Sequence, residues 1–269
     1  MSLFPSIRRT LVSVVVTLVA LAGVATAASA HDALSSTPKP TVVLVHGAFA
    51  DASGWNGVVE RLQSEGYPVL APSNPLRGLE LDAAYIRSVV DSVDGPVVLV
   101  GHSYGGAVIT NAATGAPNVR ALVYVAAFAP DLDENLADLL AMNPGSHLSE
   151  EALIFRPHPT GVDGYVHPDA FHDVFAQDLS TEQAAVMAAT QRPGDAATLS
   201  DHSATPAWRT IPSWYVVAAS DHLIPPATQR FMAERAGSVT VEVPTSHVAM
   251  ISDADAVTDV IIGAAMATG

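Results

Sequence analysis

The 269-residue chain contains no cysteine. Disulfides, a thiolate nucleophile and any metal site built on cysteine are therefore excluded. Lysine is almost missing too, since Lys39 is the only one. Twelve basic residues face 27 acidic ones, for a formal net charge of −15. A chain of that sign offers no basic footprint for nucleic acid. It is expected to bind neither nucleic acid nor an anionic membrane surface. There is also no internal repeat and no low-complexity tract.

What is present is a chain that is 49% hydrophobic. Its length suits one domain of α/β kind with a sizeable core. Residues 1–30 are set apart. They begin with Arg8 and Arg9, continue with an apolar run over 11–24, and end on Ala28-Ser29-Ala30. Charged start, apolar middle and small-residue end together predict a secretory signal peptide. The run is shorter than the roughly 20 residues needed to span a bilayer, so no lasting membrane anchor is expected. The protein is then secreted or periplasmic, and the paired arginines leave a twin-arginine route open. Loss of Arg8 and Arg9 takes the formal charge to −17.

From residue 41 the chain alternates strand and helix signals. Thr41-Val42-Val43-Leu44-Val45 is a continuous β-branched and apolar run, the pattern of a strand buried on both faces. Strands are predicted over 41–45, 67–71, 96–100, 119–125, 213–219 and 238–243. Helices are predicted over 55–65, 81–93, 104–113, 226–236 and 256–266. Six strands in βα alternation imply a parallel sheet with helices on both faces. Residues 131–206 interrupt the alternation, with helical stretches at 135–142 and 181–190. The insertion is too long for a simple loop and is expected to form a helical cap.

Open parallel sheets place their sites at the carboxyl ends of strands. Ser103 lies just past such an end, within Gly101-His102-Ser103-Tyr104-Gly105. This G-x-S-x-G pattern between strand and helix is the sequence mark of a nucleophile held in a strained turn. A serine hydroxyl needs a base, and the base needs an acid to fix its tautomer. Asp221 and His247 follow the next two strand ends, in that order. Three loops at one sheet edge thus supply serine, aspartate and histidine. Asp131, after the fourth strand, is a fallback acid. His46-Gly47-Ala48-Phe49 follows the first strand and is expected to build the oxyanion hole. One amide would come from Ala48 or Phe49 and the other from Tyr104. His46 is read as a structural histidine bonded within its loop.

These motifs, in this order, resemble the α/β-hydrolase superfamily. His46-Gly47-Ala48 with the later Trp55 is similar to the branch that holds small methylesterases and hydroxynitrile lyases. The resemblance covers residue 40 to the C-terminus. It implies an α/β-hydrolase fold and a small-molecule ester as substrate, with no cofactor. It further implies acyl transfer in two steps, with Ser103 as nucleophile, His247 as base and Asp221 stabilising the imidazolium. Protonation of His247 should then switch activity off at acid pH. The similar lyases use a cap lysine, and the only lysine here precedes the first strand. A cofactor-free haloperoxidase activity of the same site, or a non-catalytic binding protein on the same fold, remain as alternatives. The oligomeric state is left open.

His102, Phe128 and Leu223 follow strand ends and are expected to line the substrate pocket. Phe155, Tyr165, Phe171, Phe175 and Met187 could cover it from the cap. His158, His167 and His172, with Asp163, Asp169 and Asp173, carry metal-ligating chemistry. His167 and His172 are five apart, which fits a helical ligand pair poorly, so this group is read as a polar surface.

Overall fold

The computed structural model describes residues 38–269. The expected signal peptide lies outside the described residues. The first strand, β1 (Thr41–Val45), is followed by helix α1 (Asn56–Ser64), β2 (Val69–Leu70) and α2 (Leu79–Asp91). Then come β3 (Val97–His102), α3 (Tyr104–Ala112) and β4 (Val119–Val125). The order β2-β1-β3-β4 continues, after a long insertion, with β8 (Ser213–Ala218) and β9 (Val239–Val243), all parallel. The interior strands explain themselves chemically. Every residue of β3 is buried, and so are Val42 to Val45 of β1. A strand covered on both faces has no polar side to alternate with.

Helix α8 (Pro226–Arg235) links β8 to β9, and α9 (Ala249–Ser252) and α10 (Ala254–Thr268) close the chain. Helix α10 packs against α1, and α2 packs against α3. Strand β1 leads to β2 on one side and has β3 as its other neighbour. The strand order reverses there, so a crevice opens at the carboxyl ends of β1 and β3.

The insertion differs from expectation. It carries α4 (Leu136–Ala141), β5 (Leu153–His158), β6 (Gly161–Val166), α5 (Pro168–Phe175), α6 (Thr181–Thr190), β7 (Gly194–Asp195) and α7 (Ala197–Ser200). The three strands form a separate antiparallel sheet in the order β5-β6-β7. The cap is therefore mixed rather than purely helical. Pro157 sits in β5, an edge strand, where its missing N–H costs no sheet hydrogen bond. Among the described residues no helix is long and apolar enough to cross a membrane.

Close packing at the crevice depends on glycine. A Cβ on Gly105, in the first turn of α3, would lie 2.4 Å from the Val45 carbonyl oxygen of β1. A Cβ on Gly47 would lie 2.6 Å from the Ser103 Cβ. Gly105→Ala should therefore push α3 off the sheet and cost about 1–3 kcal/mol, the usual range for overpacking a well-filled interior. Urea unfolding of the variant beside the parent chain checks this.

Candidate active site

Ser103 joins β3 to α3 with φ 54° and ψ −125°, a left-handed backbone on a residue that is not glycine. Such a conformation persists only where its surroundings fix it. Here its own carbonyl accepts from the amides of Gly106 (2.9 Å) and Phe128 (3.1 Å), and its amide donates to Val125 (3.3 Å). The turn sets the hydroxyl at the carboxyl edge of the sheet, at the N-terminal end of α3.

His247 Nε2 is 2.8 Å from Ser103 Oγ, and His247 Nδ1 is 2.7 Å from Asp221 Oδ2. All three residues are buried. The second Asp221 oxygen accepts from the amides of Leu223 (2.7 Å) and Ile224 (3.0 Å). With Oδ1 so engaged, Oδ2 faces the imidazole, which fixes Nδ1 as the protonated nitrogen and leaves Nε2 to receive a proton from Ser103. Asp131 does not reach this group, because it pairs with Arg209 at the protein surface.

Two amides face the same crevice from β1 and α3. The Phe49 amide donates to the Arg192 carbonyl at 2.8 Å and is occupied. The Ala48 amide makes no hydrogen bond among the described residues, and Ala48 lines the cavity with Tyr104 and Ser103. Of the two expected donors, Ala48 is the one left free. Tyr104 is held by its side chain, whose hydroxyl donates to the buried Asp82 carboxylate at 2.7 Å. Burial raises both the Asp82 carboxyl and the Tyr104 hydroxyl above their ordinary values. His46 stays within its loop: Nδ1 donates to the Gly47 carbonyl (2.8 Å), and Nε2 accepts from the Asn74 amide (3.0 Å).

A cavity of about 100 Å³ opens beside Ser103. Phe128 and Leu223 line it, with Leu140, Leu148, Leu153 and Phe155 from the insertion. His102 does not. Side chains alternate along a strand, and the residue before Ser103 points inward rather than toward the crevice. Its ring is fully buried, and Nε2 donates to the His247 carbonyl at 2.9 Å. Phe171 and Phe175 are buried too, and Phe175 meets the His247 ring edge-on with centroids 5.0 Å apart. Tyr165 lies under Arg156, and Met187 lines a different, outer cleft.

The six cap residues with ligating side chains do not gather. His158 bonds Asp195 at 2.7 Å, beside Asp163 and Arg77. His167 caps α5, accepting from the Asp169 amide at 3.2 Å, and His172 donates to the Leu179 carbonyl at 3.0 Å. Asp173 faces His147 and His222 instead.

One buried residue escaped the sequence reading. Gln229 on α8 donates through Nε2 to Asp221 Oδ2 (2.7 Å) and to the Ile224 carbonyl (2.9 Å), and accepts from the Ala218 amide (3.0 Å). It fastens the acid to both the strand end and the following turn. The one available signal is a glutamine in the first turns of a helix that starts just after Asp221. Gln229→Leu leaves a buried amide and a buried carbonyl without partners. It should cost about 1–3 kcal/mol for each group stranded, read by chemical unfolding.

The buried histidines bring a pH dependence. Burial holds His102 well below the ordinary 6.5 and lowers His46 as well. Below about pH 6.5 the unfolded chain takes protons at these positions and the folded chain does not. The unfolded state then binds more protons, so stability falls as pH drops. Melting temperature should decline from pH 7 to pH 5, and decline less steeply in His102→Gln.

A parallel sheet with a nucleophile turn at its switch point defines the α/β class of hydrolases. Residues 42–260 match the alpha/beta hydrolase family, and the chain belongs to that family. It is similar to methylesterase 1 of Arabidopsis thaliana, with 26% identity over 222 residues, 73% of this chain and 84% of that protein. It is also similar to a carbendazim hydrolyzing esterase of Nocardioides sp., at 36% identity over 111 residues. That match covers 36% of this chain and 46% of the relative, about half its length. The solved structure of a pyrethroid hydrolase from Sphingobium faniae shares the fold. Its TM-score is 0.70 at 21% identity, over 85% of this chain and 98% of that one. The chain is a hydrolase of that family.

Proposed function

We propose that this hydrolase cleaves small carboxylic esters through a covalent acyl-enzyme on Ser103. The observation that carries the reading is the unbroken relay from Ser103 Oγ through His247 to Asp221, with both links at or below 2.8 Å. The relay opens on a mostly apolar cavity of about 100 Å³. An acyl group of a few carbons fits such a space. The named activities of the relatives, a methylesterase and a carbendazim esterase, point the same way.

In the first step Ser103 Oγ attacks the ester carbonyl carbon while its proton passes to His247 Nε2. The carbonyl oxygen takes the electron pair and accepts from the Ala48 and Tyr104 amides. The positive end of α3 adds to that stabilisation. Collapse of the intermediate breaks the C–O bond, and His247 returns the proton to the leaving alcohol. Water then repeats the sequence on the acyl-enzyme, releasing the acid and restoring Ser103. Asp221 keeps its negative charge throughout and holds the imidazolium in place.

A lyase route through a lysine finds no lysine here. Lys39 precedes β1 at the opposite end of the strands, where its ammonium bonds the Glu65 carbonyl and sits 4.3 Å over the Tyr67 ring. Export of the chain under the signal of residues 1–30 belongs to the same proposal, as does a small ester as its partner.

A fluorophosphonate probe tests the reading. One adduct is expected, on the Ser103 peptide, and none in Ser103→Ala. The same variant should lose at least about 10⁴-fold in kcat/KM on short p-nitrophenyl esters. Absence of both labelling and ester turnover in the folded parent chain would leave a binding protein on a hydrolase fold.

A further inference from the structure

Outside the catalytic cavity, three side chains from three separate segments converge. His147 lies in the loop between α4 and β5, Asp173 on α5, and His222 directly after Asp221. One ligating atom from each falls within 4.8 Å of the other two. His147 Nδ1 is 2.7 Å from one Asp173 oxygen, and His222 Nδ1 is 3.4 Å from the other. The two imidazole rings pack with centroids 4.1 Å apart, tilted by 34°. The backbone joins in: the His147 amide donates to the His222 carbonyl at 2.7 Å. His222 Nδ1 donates to the Asp173 carbonyl at 3.0 Å.

Two neutral imidazoles and one carboxylate form the ligand set that zinc-type cations prefer. The donors come from distant parts of the chain, so the fold assembles them and the sequence pattern does not. A single divalent ion facing both rings and the carboxylate engages all three. All three side chains are at least partly open to solvent, which gives an ion a path in and leaves room for water ligands.

We propose that His147, Asp173 and His222 bind one divalent cation of the zinc type, with water completing its shell. His147 and Asp173 belong to the insertion, whereas His222 adjoins Asp221 in the loop after β8. A bound ion would fasten the cap to the loop that carries Asp221. The site would thus act as a removable clasp on the cap, and no step of ester cleavage passes through it.

The test uses tag-free full-length protein, stripped with a chelator and dialysed, then titrated with zinc sulfate by calorimetry. One zinc per chain and a melting temperature raised by zinc are expected. The pair His147→Gln and Asp173→Asn should abolish both effects. His222→Gln alone should abolish them too, which guards against misfolding of the pair. Unchanged circular dichroism and unchanged fluorophosphonate labelling of Ser103 show that each variant is folded. The proposal is overturned if the parent chain takes up no zinc, or if the folded variants bind it as the parent does.

Discussion

The geometry of the candidate site depends on one strained residue. Ser103 occupies a left-handed backbone region that costs a non-glycine residue of order 1 kcal/mol or more. The strain persists because β1, β3 and α3 meet almost backbone to backbone. Gly105 lies against the Val45 carbonyl, Gly47 against Ser103 itself, and the Ser103 carbonyl is fixed by two amides. The hydroxyl is therefore aimed by the packing of the sheet, and it needs no flexible loop to find its place.

The second constraint concerns the polar groups that this aim forces into the interior. Ser103, Asp221, His247, His102 and Gln229 are all buried, and burial without partners costs more than a good hydrogen bond returns. The structure meets that cost by chaining the groups together. Gln229 holds Asp221, Asp221 holds His247, and His102 holds the His247 carbonyl. One atom escapes the chain. His102 Nδ1 has no partner among the described residues. Burial disfavours protonation there, as it does at His46, and this links the stability of the fold to pH.

Much of the framework was legible because burial leaves a plain pattern. β1, β4 and the helix Thr181–Thr190 fall at their predicted bounds. Edge strands were harder. β2 shrinks to two residues, and β9 leaves Val239 and Val241 exposed. The cap hairpin was missed because Pro157, Arg156 and Asp163 mask its alternation, and its small sheet is separate from the main one. In the site, Ser103, Asp221 and His247 stand out because each follows a strand end. The same rule misplaced His102, since position after a strand does not say which way a side chain points. Gln229 was illegible for a similar reason. Its role depends on which face of α8 meets the Asp221 turn, and that is decided by packing.

These limits bear on where specificity resides. The sheet supplies Ala48, Ser103, Tyr104 and Phe128 to the cavity wall, all from segments fixed by the crevice. The insertion supplies Leu140 from α4, Leu148 from a loop, and Leu153 and Phe155 from β5. Phe155 is half-exposed although it lines the cavity, so part of the wall faces solvent on its outer side. The cap meets the core loops through both apolar and polar contacts, and Phe175 packs on Phe49 and on His247. Asp178 receives the Ser246 amide, and Asp173 meets His222. Both polar contacts lie next to members of the relay, and a third, from the Phe49 amide to the Arg192 carbonyl, joins the cap to the loop after β1. The proposed chemistry rests on the sheet-edge loops and the cavity wall largely on the insertion, and the two meet at the loops that carry Asp221 and His247.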